Sequence, residues 1–202
     1  MGHVVSTLAL VFCCVSLAQA QSDVRAFPGN VHNRGETRIL FWNGAAGKAA
    51  AEVAISYGRP LWKNEYNTAG ALDQMTKGKT WRAGKNFWTF LDTNIPLKIG
   101  GTDIPVGMYY LVVQRSADGN DWSLAFIDPA SARRNRIDAA EADRRIGEMT
   151  IQHSAPLMFK SRNDITRLLE MEIAGYSHDL SKATFVIKWG KFELSGPVEA
   201  TI

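Results

Sequence analysis

What most limits the fold of this chain is a recurring pattern of short apolar runs separated by glycine-bearing turn dipeptides. Val53, Ile55 and Tyr57 alternate with Glu52, Ala54 and Ser56, the period of two expected of a strand with one buried face. Trp122, Leu124 and Phe126 alternate with Ser123, Ala125 and Ile127, and Phe185, Ile187 and Trp189 alternate with Thr184, Val186 and Lys188. Phe87–Leu91 and Met108–Val113 are apolar on both faces and read as interior strands. Arg38–Trp42, Ile95–Ile99, Met149–His153 and Phe192–Leu194 extend the series. Asn43-Gly44, Gly100-Gly101 and Asp118-Gly119 stand where tight hairpins need a residue at positive φ. Roughly eight to ten short strands with such turns predict a mainly β protein, an antiparallel β-sandwich of jelly-roll-like type.

One short helix is expected over Asp138–Ile146. Asp138 can cap it, Ala139, Ala140 and Ala142 favour it, and Glu141 stands four residues before Arg145. Ile165–Ile173 fits both a helical and a strand face, and its periodicity does not decide.

Composition excludes several classes. With 46% hydrophobic and 21% charged residues, the chain is neither a disordered polymer nor a fibre. A net charge of +3 over 202 residues does not call for nucleic acid. Val4–Ala18 is a mostly apolar stretch, and Ala18-Gln19-Ala20 is a small-x-small triplet. Together they read as a secretory signal peptide over residues 1–20, although Met1-Gly2-His3 lacks a Lys or Arg. Met1-Gly2 followed by Ser6 also fits an N-myristoylation pattern, but that leaves the apolar run and the triplet unexplained. Residues 21–35 read as a polar leader and 36–202 as a single domain. The expected location is outside the cytoplasm, periplasmic or extracellular, with no transmembrane segment after cleavage. Both cysteines, Cys13 and Cys14, fall in the expected signal, so the exported domain relies on its core instead of disulfides.

The residues that most invite a functional reading are Tyr57, Arg59, Trp81, Arg82 and Asn86. Arg59 and Arg82 stand at the edges of β elements, beside Pro60 and Gly84. A guanidinium offers a planar fork of donors for carboxylate, phosphate or sugar hydroxyls, and an indole offers a flat face for stacking. The same residues can serve structure alone, with Trp81 in the core, Arg82 on loop carbonyls and Asn86 closing a turn. Among the tryptophans, Trp88, Trp122 and Trp189 have apolar neighbours and suit the core, whereas Trp62, between Pro60-Leu61 and Lys63, suits the surface. His32, His153 and His178 have no His or Cys at ligand spacing, so neither a metal nor another cofactor is called for. Arg133, Arg134, Arg136, Arg144 and Arg145 read as a solvated basic face.

Four stretches carry a family resemblance. They are Ile55–Pro60 ending in Tyr-Gly-Arg-Pro; Gly78-Lys79-Thr80-Trp81-Arg82-Ala83-Gly84-Lys85-Asn86; the hairpin Leu97–Gly101 running into Ile104-Pro105-Val106-Gly107-Met108-Tyr109; and Ala183–Trp189. In these the chain resembles the domain-of-unknown-function 2911 family of largely exported bacterial proteins. The resemblance implies a β-sandwich-like fold, makes Ile165–Ile173 a strand and implies no reaction. The segment Arg133–Arg145 departs from the family pattern. The expected function is a non-catalytic binding or accessory role in the cell envelope, its partner an unknown small molecule or glycan. The alternatives are a hydrolase- or lyase-type enzyme with an Arg anion clamp and His153 or an acid as proton carrier, and a structural partner of another envelope protein.

Overall fold

The structure, a computed structural model, describes residues 33–175 and 183–201. The expected signal peptide and most of the expected leader lie outside the described residues, as do His32 and His178.

The chain forms β1 (Arg34–Asn43), β2 (Lys48–Gly58), β3 (Thr80–Trp81), β4 (Phe90–Thr93), β5 (Leu97–Ile99), β6 (Thr102–Ile104), β7 (Gly107–Arg115), β8 (Trp122–Ile127), β9 (Ile151–Ala174) and β10 (Ala183–Ala200). β1 opens two residues ahead of the domain start expected at Glu36. The expected hairpin dipeptides all fall at or between paired strands: β1 with β2, β5 with β6, and β7 with β8. Ile165–Ile173 lies within β9 and is strand.

All pairings are antiparallel, and the strands join in one sheet ordered β1-β2-β4-β7-β8-β9-β10-β5-β6, with β3 paired to β7. The fold is therefore mainly β and sandwich-like, as expected, but its two layers are parts of one continuous sheet. β9 makes the connection. Its first residues, Ile151–Leu157, pair with β8, and its remainder, from Met158, pairs with β10. The doubled sheet closes over the main core. Ile55, Leu91, Leu111, Leu124 and Phe126 from one part pack with Leu169, Phe185, Ile187, Leu194 and Val198 from the other.

The free edge of β9 is covered without a full partner strand. Leu61 bridges to Leu168, the Trp62 N–H donates to the Arg167 carbonyl at 2.7 Å, and the Leu169 N–H donates to the Pro60 carbonyl at 3.1 Å. Side chains finish the task. Arg59 Nε donates to the Leu169 carbonyl at 3.0 Å, and the hydroxyls of Thr37 and Tyr57 both donate to the Met171 carbonyl, at 2.6 and 3.3 Å. An open sheet edge is otherwise a template for unwanted pairing, and these donors satisfy it.

Helices sit elsewhere than expected. α1 (Ala71–Thr76) and α2 (Pro129–Arg134) are the α-helices of the described residues. α2 begins on Asp128, whose carboxylate accepts from the Ala130 N–H at 2.8 Å, with Pro129 in the first turn. The helix expected over Asp138–Ile146 is instead a 3-10 turn, Ala139–Glu141, followed by a second, Ile146–Glu148. Tertiary packing overrides the local helix signal: Ala139 and Ala142 are buried, Ala142 against β7 and β8, and the Ala142 N–H donates to the Ala139 carbonyl at 3.4 Å, the i to i+3 bond of a 3-10 turn.

The segment from α2 to Met149 lies across the outer face of β7 and β8. Ala132, Ile137, Ala142 and Met149 pack there on Val112, Ala125 and Ile127 as a second, smaller core. Arg145 ties the segment together. It donates to Glu148 from Nε at 2.8 Å and from Nη2 at 2.6 Å, and approaches Glu141 at 3.3 Å. The Arg145 guanidinium holds the Glu148 carboxyl below its ordinary value of 4.5. A lowered carboxyl pKa adds stability above the ordinary value, and that contribution is lost as pH falls through the lowered one. The melting-temperature gap between wild type and Glu148→Gln should therefore narrow as pH drops below 4.5, and about 0.5 M salt should shrink it at neutral pH because the pair is exposed. Parallel pH profiles for the two proteins would remove the pair from the account.

Candidate functional site

The loop from Trp81 to Thr89 holds two of the three non-glycine residues at positive φ among the described residues. β3 pairs Thr80 with Gln114 and Trp81 with Val113, and β4 rejoins β7 by pairing Phe90 with Tyr110. Between them the chain bulges away from the sheet through two non-glycine residues at positive φ, Ala83 at 51° and Asn86 at 66°. Such backbone costs about 1 kcal/mol or more per residue and persists only where the surroundings hold it. Here the Thr89 hydroxyl donates to the Ala83 carbonyl at 2.9 Å and the Leu111 N–H to the Thr89 carbonyl at 2.9 Å. Ala83 is fully buried, and the Asn86 Nδ2 is buried with no hydrogen-bond partner. The run Phe87–Leu91, read as one interior strand, is strand only from Phe90, because Thr89 turns its hydroxyl back to close this loop and Phe87 stands at its exposed tip.

The five nominated residues divide. Tyr57 and Arg59 bind the carbonyls of β9, and Arg59 also approaches Glu170 at 3.5 Å. The Trp81 ring stacks on Trp189 with centroids 5.4 Å apart and planes 16° apart. Asn86 lies within the loop. Arg82 lines a cleft and shares it with Trp81; neither Tyr57, Arg59 nor Asn86 lines it.

Trp62 is buried, contrary to the sequence expectation. Its ring meets Tyr66, Trp189 and Phe192 edge-on, and its Nε1 donates to Asn67 at 3.0 Å. The pairing of Leu61 with β9 turns the next side chain inward, which a reading of the flanking Pro60 and Lys63 does not show. Trp122 is buried as expected, while Trp88 and Trp189 are half-buried. His153 packs edge-on to Tyr109 and Phe126, with centroids 5.8 and 6.5 Å away, and lines neither cleft described below. The basic run is partly paired: Arg134 reaches Asp128 at 3.7 Å, and Arg145 holds Glu141 and Glu148.

Two clefts form where the Trp81–Thr89 loop meets the Asp138–Asp143 stretch, and Ala139 lines both. The first, about 380 Å³, has Lys79, Thr80, Trp81 and Arg82 on one wall and Ala139, Ala140 and Asp143 on the other. The half-buried Arg82 donates from Nε to the Gly84 carbonyl at 3.4 Å and has no carboxylate within ion-pair distance among the described residues. The second, about 370 Å³, is lined by Phe87, Trp88, Phe90, Met108 and Tyr110 with Arg34 at its edge. Sequence reasoning nominated none of these six. The faintly legible signal is Phe87–Leu91, whose double-sided apolarity reflects two different surroundings. Among the described residues no group of three or more His, Cys, Asp or Glu could hold a metal ion, and no helix is long and apolar enough to cross a membrane.

A mainly antiparallel β domain of this kind, with its strained Trp-Arg-x-Gly-x-Asn loop, matches one family profile. The profile, described as "Protein of unknown function (DUF2911)", covers residues 45–198, and the chain belongs to that family. No curated protein and no solved structure matches the chain.

Proposed function

We propose that this chain is an exported, non-catalytic binding protein of the cell envelope that takes a small anionic or glycan-type ligand in the Arg82 cleft. The observation that carries the reading is a half-buried guanidinium in a concavity without a carboxylate partner among the described residues. Most other arginines of the described residues lie beside an acid, among them Arg38, Arg59, Arg115, Arg145 and Arg162. A guanidinium left unneutralised is suited to a ligand carboxylate or phosphate, for which it supplies two parallel donors. Lys79 adds positive charge to the same wall, and Asp143 opposite can accept from sugar hydroxyls.

The other nominated residues serve this site from behind. Arg59 and Tyr57 fix β9, the Trp189 Nε1 donates to the Pro60 carbonyl at 3.0 Å, and the Trp189 ring backs Trp81. Export rests on the Val4–Ala18 run and the Ala18-Gln19-Ala20 triplet, and N-terminal sequencing of the secreted protein should begin at Gln21.

A thermal-shift screen with inorganic phosphate, citrate and D-glucuronate tests the site. At least one should raise the melting temperature of the wild type, and Arg82→Ala should abolish most of that rise. The reading is sunk if none does, or if Arg82→Ala responds as the wild type does.

A further inference from the structure

We propose that the second cleft is a separate binding site for a flat aromatic carboxylate. Four aromatic rings line it. Trp88 and Tyr110 lie parallel, 2° apart with centroids 4.6 Å apart, and Phe87, Phe90 and Met108 add to the apolar lining. Phe87 is 52% and Met108 37% exposed, so this apolar surface is open to water in the free protein. The fold does not need Phe87 there. The residue occupies a loop tip whose anchoring comes from Thr89 and Ala83. Exposed apolar clusters of this kind mark binding sites, and a cleft near 370 Å³ is of the size that small organic ligands fill.

The charge at the rim decides which apolar ligand. Arg34 is pinned at the edge, donating from Nη2 to the Ser56 hydroxyl at 2.8 Å and to the Trp88 carbonyl at 3.5 Å. The Arg133 guanidinium does not line the cleft but stands 6.0 Å from the ring centre of Tyr110, which does. Neither arginine has a carboxylate within ion-pair distance among the described residues. One acid lines the cleft, Asp138, and its Oδ1 already accepts from the Ala140 N–H at 2.7 Å. Arg34 at the rim, with Arg133 adding positive charge beside Tyr110 and the one lining carboxylate already engaged, favours a ligand with a single negative charge. The lining rings favour one that is planar, since offset stacking adds to the gain from burial. An uncharged aromatic would leave Arg34 without a charged partner, and a polar anion would leave Phe87 and Met108 exposed.

Calorimetric titration with 1-naphthoate tests the proposal, with 1-naphthalenemethanol as its uncharged counterpart. The wild type should bind 1-naphthoate saturably at one site and the alcohol at least about tenfold more weakly. Phe87→Ser and Arg34→Gln should each weaken 1-naphthoate by a similar factor. Both residues are exposed, so these variants should keep the wild-type fold; if either fails to fold, the comparison of acid with alcohol still decides. D-glucuronate, offered to the Arg82 cleft, should not displace 1-naphthoate. The proposal is overturned by absence of saturable binding, by equal affinity for acid and alcohol, by wild-type affinity in both variants, or by displacement with D-glucuronate. None of these outcomes bears on the Arg82 screen except the last, which would merge the two sites.

Discussion

Replacing Gly190 by alanine should lower the stability of the domain by on the order of 3–5 kcal/mol, the largest effect expected of any single methyl group considered. Gly190 sits at a register shift of β10, opposite Thr166 of β9, with φ at 60°. An L-residue in that region costs about 1–2 kcal/mol before any contact is made. A Cβ built there would then lie 2.2 Å from two atoms of the Trp62 ring. The ring cannot withdraw freely, because Tyr66, Trp189 and Phe192 surround it. Denaturant unfolding followed by tryptophan fluorescence should show a much lower midpoint with an unchanged slope, and a fall in melting temperature of about 10 °C. In a Trp62→Leu background the added cost of Gly190→Ala should drop by more than 1 kcal/mol, on the order expected for groups in contact. Equal costs in the two backgrounds would show that the ring contact does not matter.

Gly58→Ala should destabilise by about 3 kcal/mol and also disable the Arg82 cleft. Here the backbone conformation is unremarkable and the obstacle is steric. A Cβ would lie 2.0 Å from the Lys85 carbonyl oxygen and 2.9 Å from two further backbone atoms of Lys85. Backbone cannot rotate aside as a side chain can, so the whole Trp81–Thr89 loop must shift away from β2. That shift pulls on Gly84, where a Cβ would meet the Thr89 hydroxyl at 2.5 Å, and on Ala83, held by the same hydroxyl. The expected result is loss of anion-induced thermal shift together with a lowered melting temperature. As a comparison, Thr89→Val removes one buried hydrogen bond and should cost about 1 kcal/mol. A Gly58→Ala protein with wild-type stability would mean that the loop does not rest on β2.

Much of the fold was legible because strands and hairpins are local. The alternation of Val53, Ile55 and Tyr57 and of Trp122, Leu124 and Phe126 places those side chains in the core. Asn43-Gly44, Gly100-Gly101 and Asp118-Gly119 each mark a turn between strands that pair. The less legible features depend on residues far apart in sequence. Nothing near Trp62 announces that Leu61 will bridge to Leu168 and bring the indole against Gly190. Nothing within Asp138–Ile146 says that Ala142 will meet the outer face of β7 and β8, so strong local helix signals lost to tertiary burial. The site was half legible for the same reason. Arg82 carries its own signal as a charged residue in a glycine-bounded loop. The wall opposite it, Ala139 to Asp143, does not follow the resemblance that drew attention to Arg82. Tyr57 and Arg59 also bear donors suited to a ligand, yet in the fold their partners are the carbonyls of β9.

The central claim is that Arg82 recognises an anion in the cleft between the Trp81–Thr89 loop and the Ala139–Asp143 wall. Its most direct test is a calorimetric titration of wild type, Arg82→Lys and Arg82→Ala with whichever of phosphate, citrate or D-glucuronate gives the largest thermal shift. Charge-assisted hydrogen bonds of about 1.5–3 kcal/mol predict at least tenfold weaker binding for Arg82→Ala, with Arg82→Lys between it and the wild type because lysine keeps the charge and loses the fork. Equal affinity in all three proteins would contradict the claim.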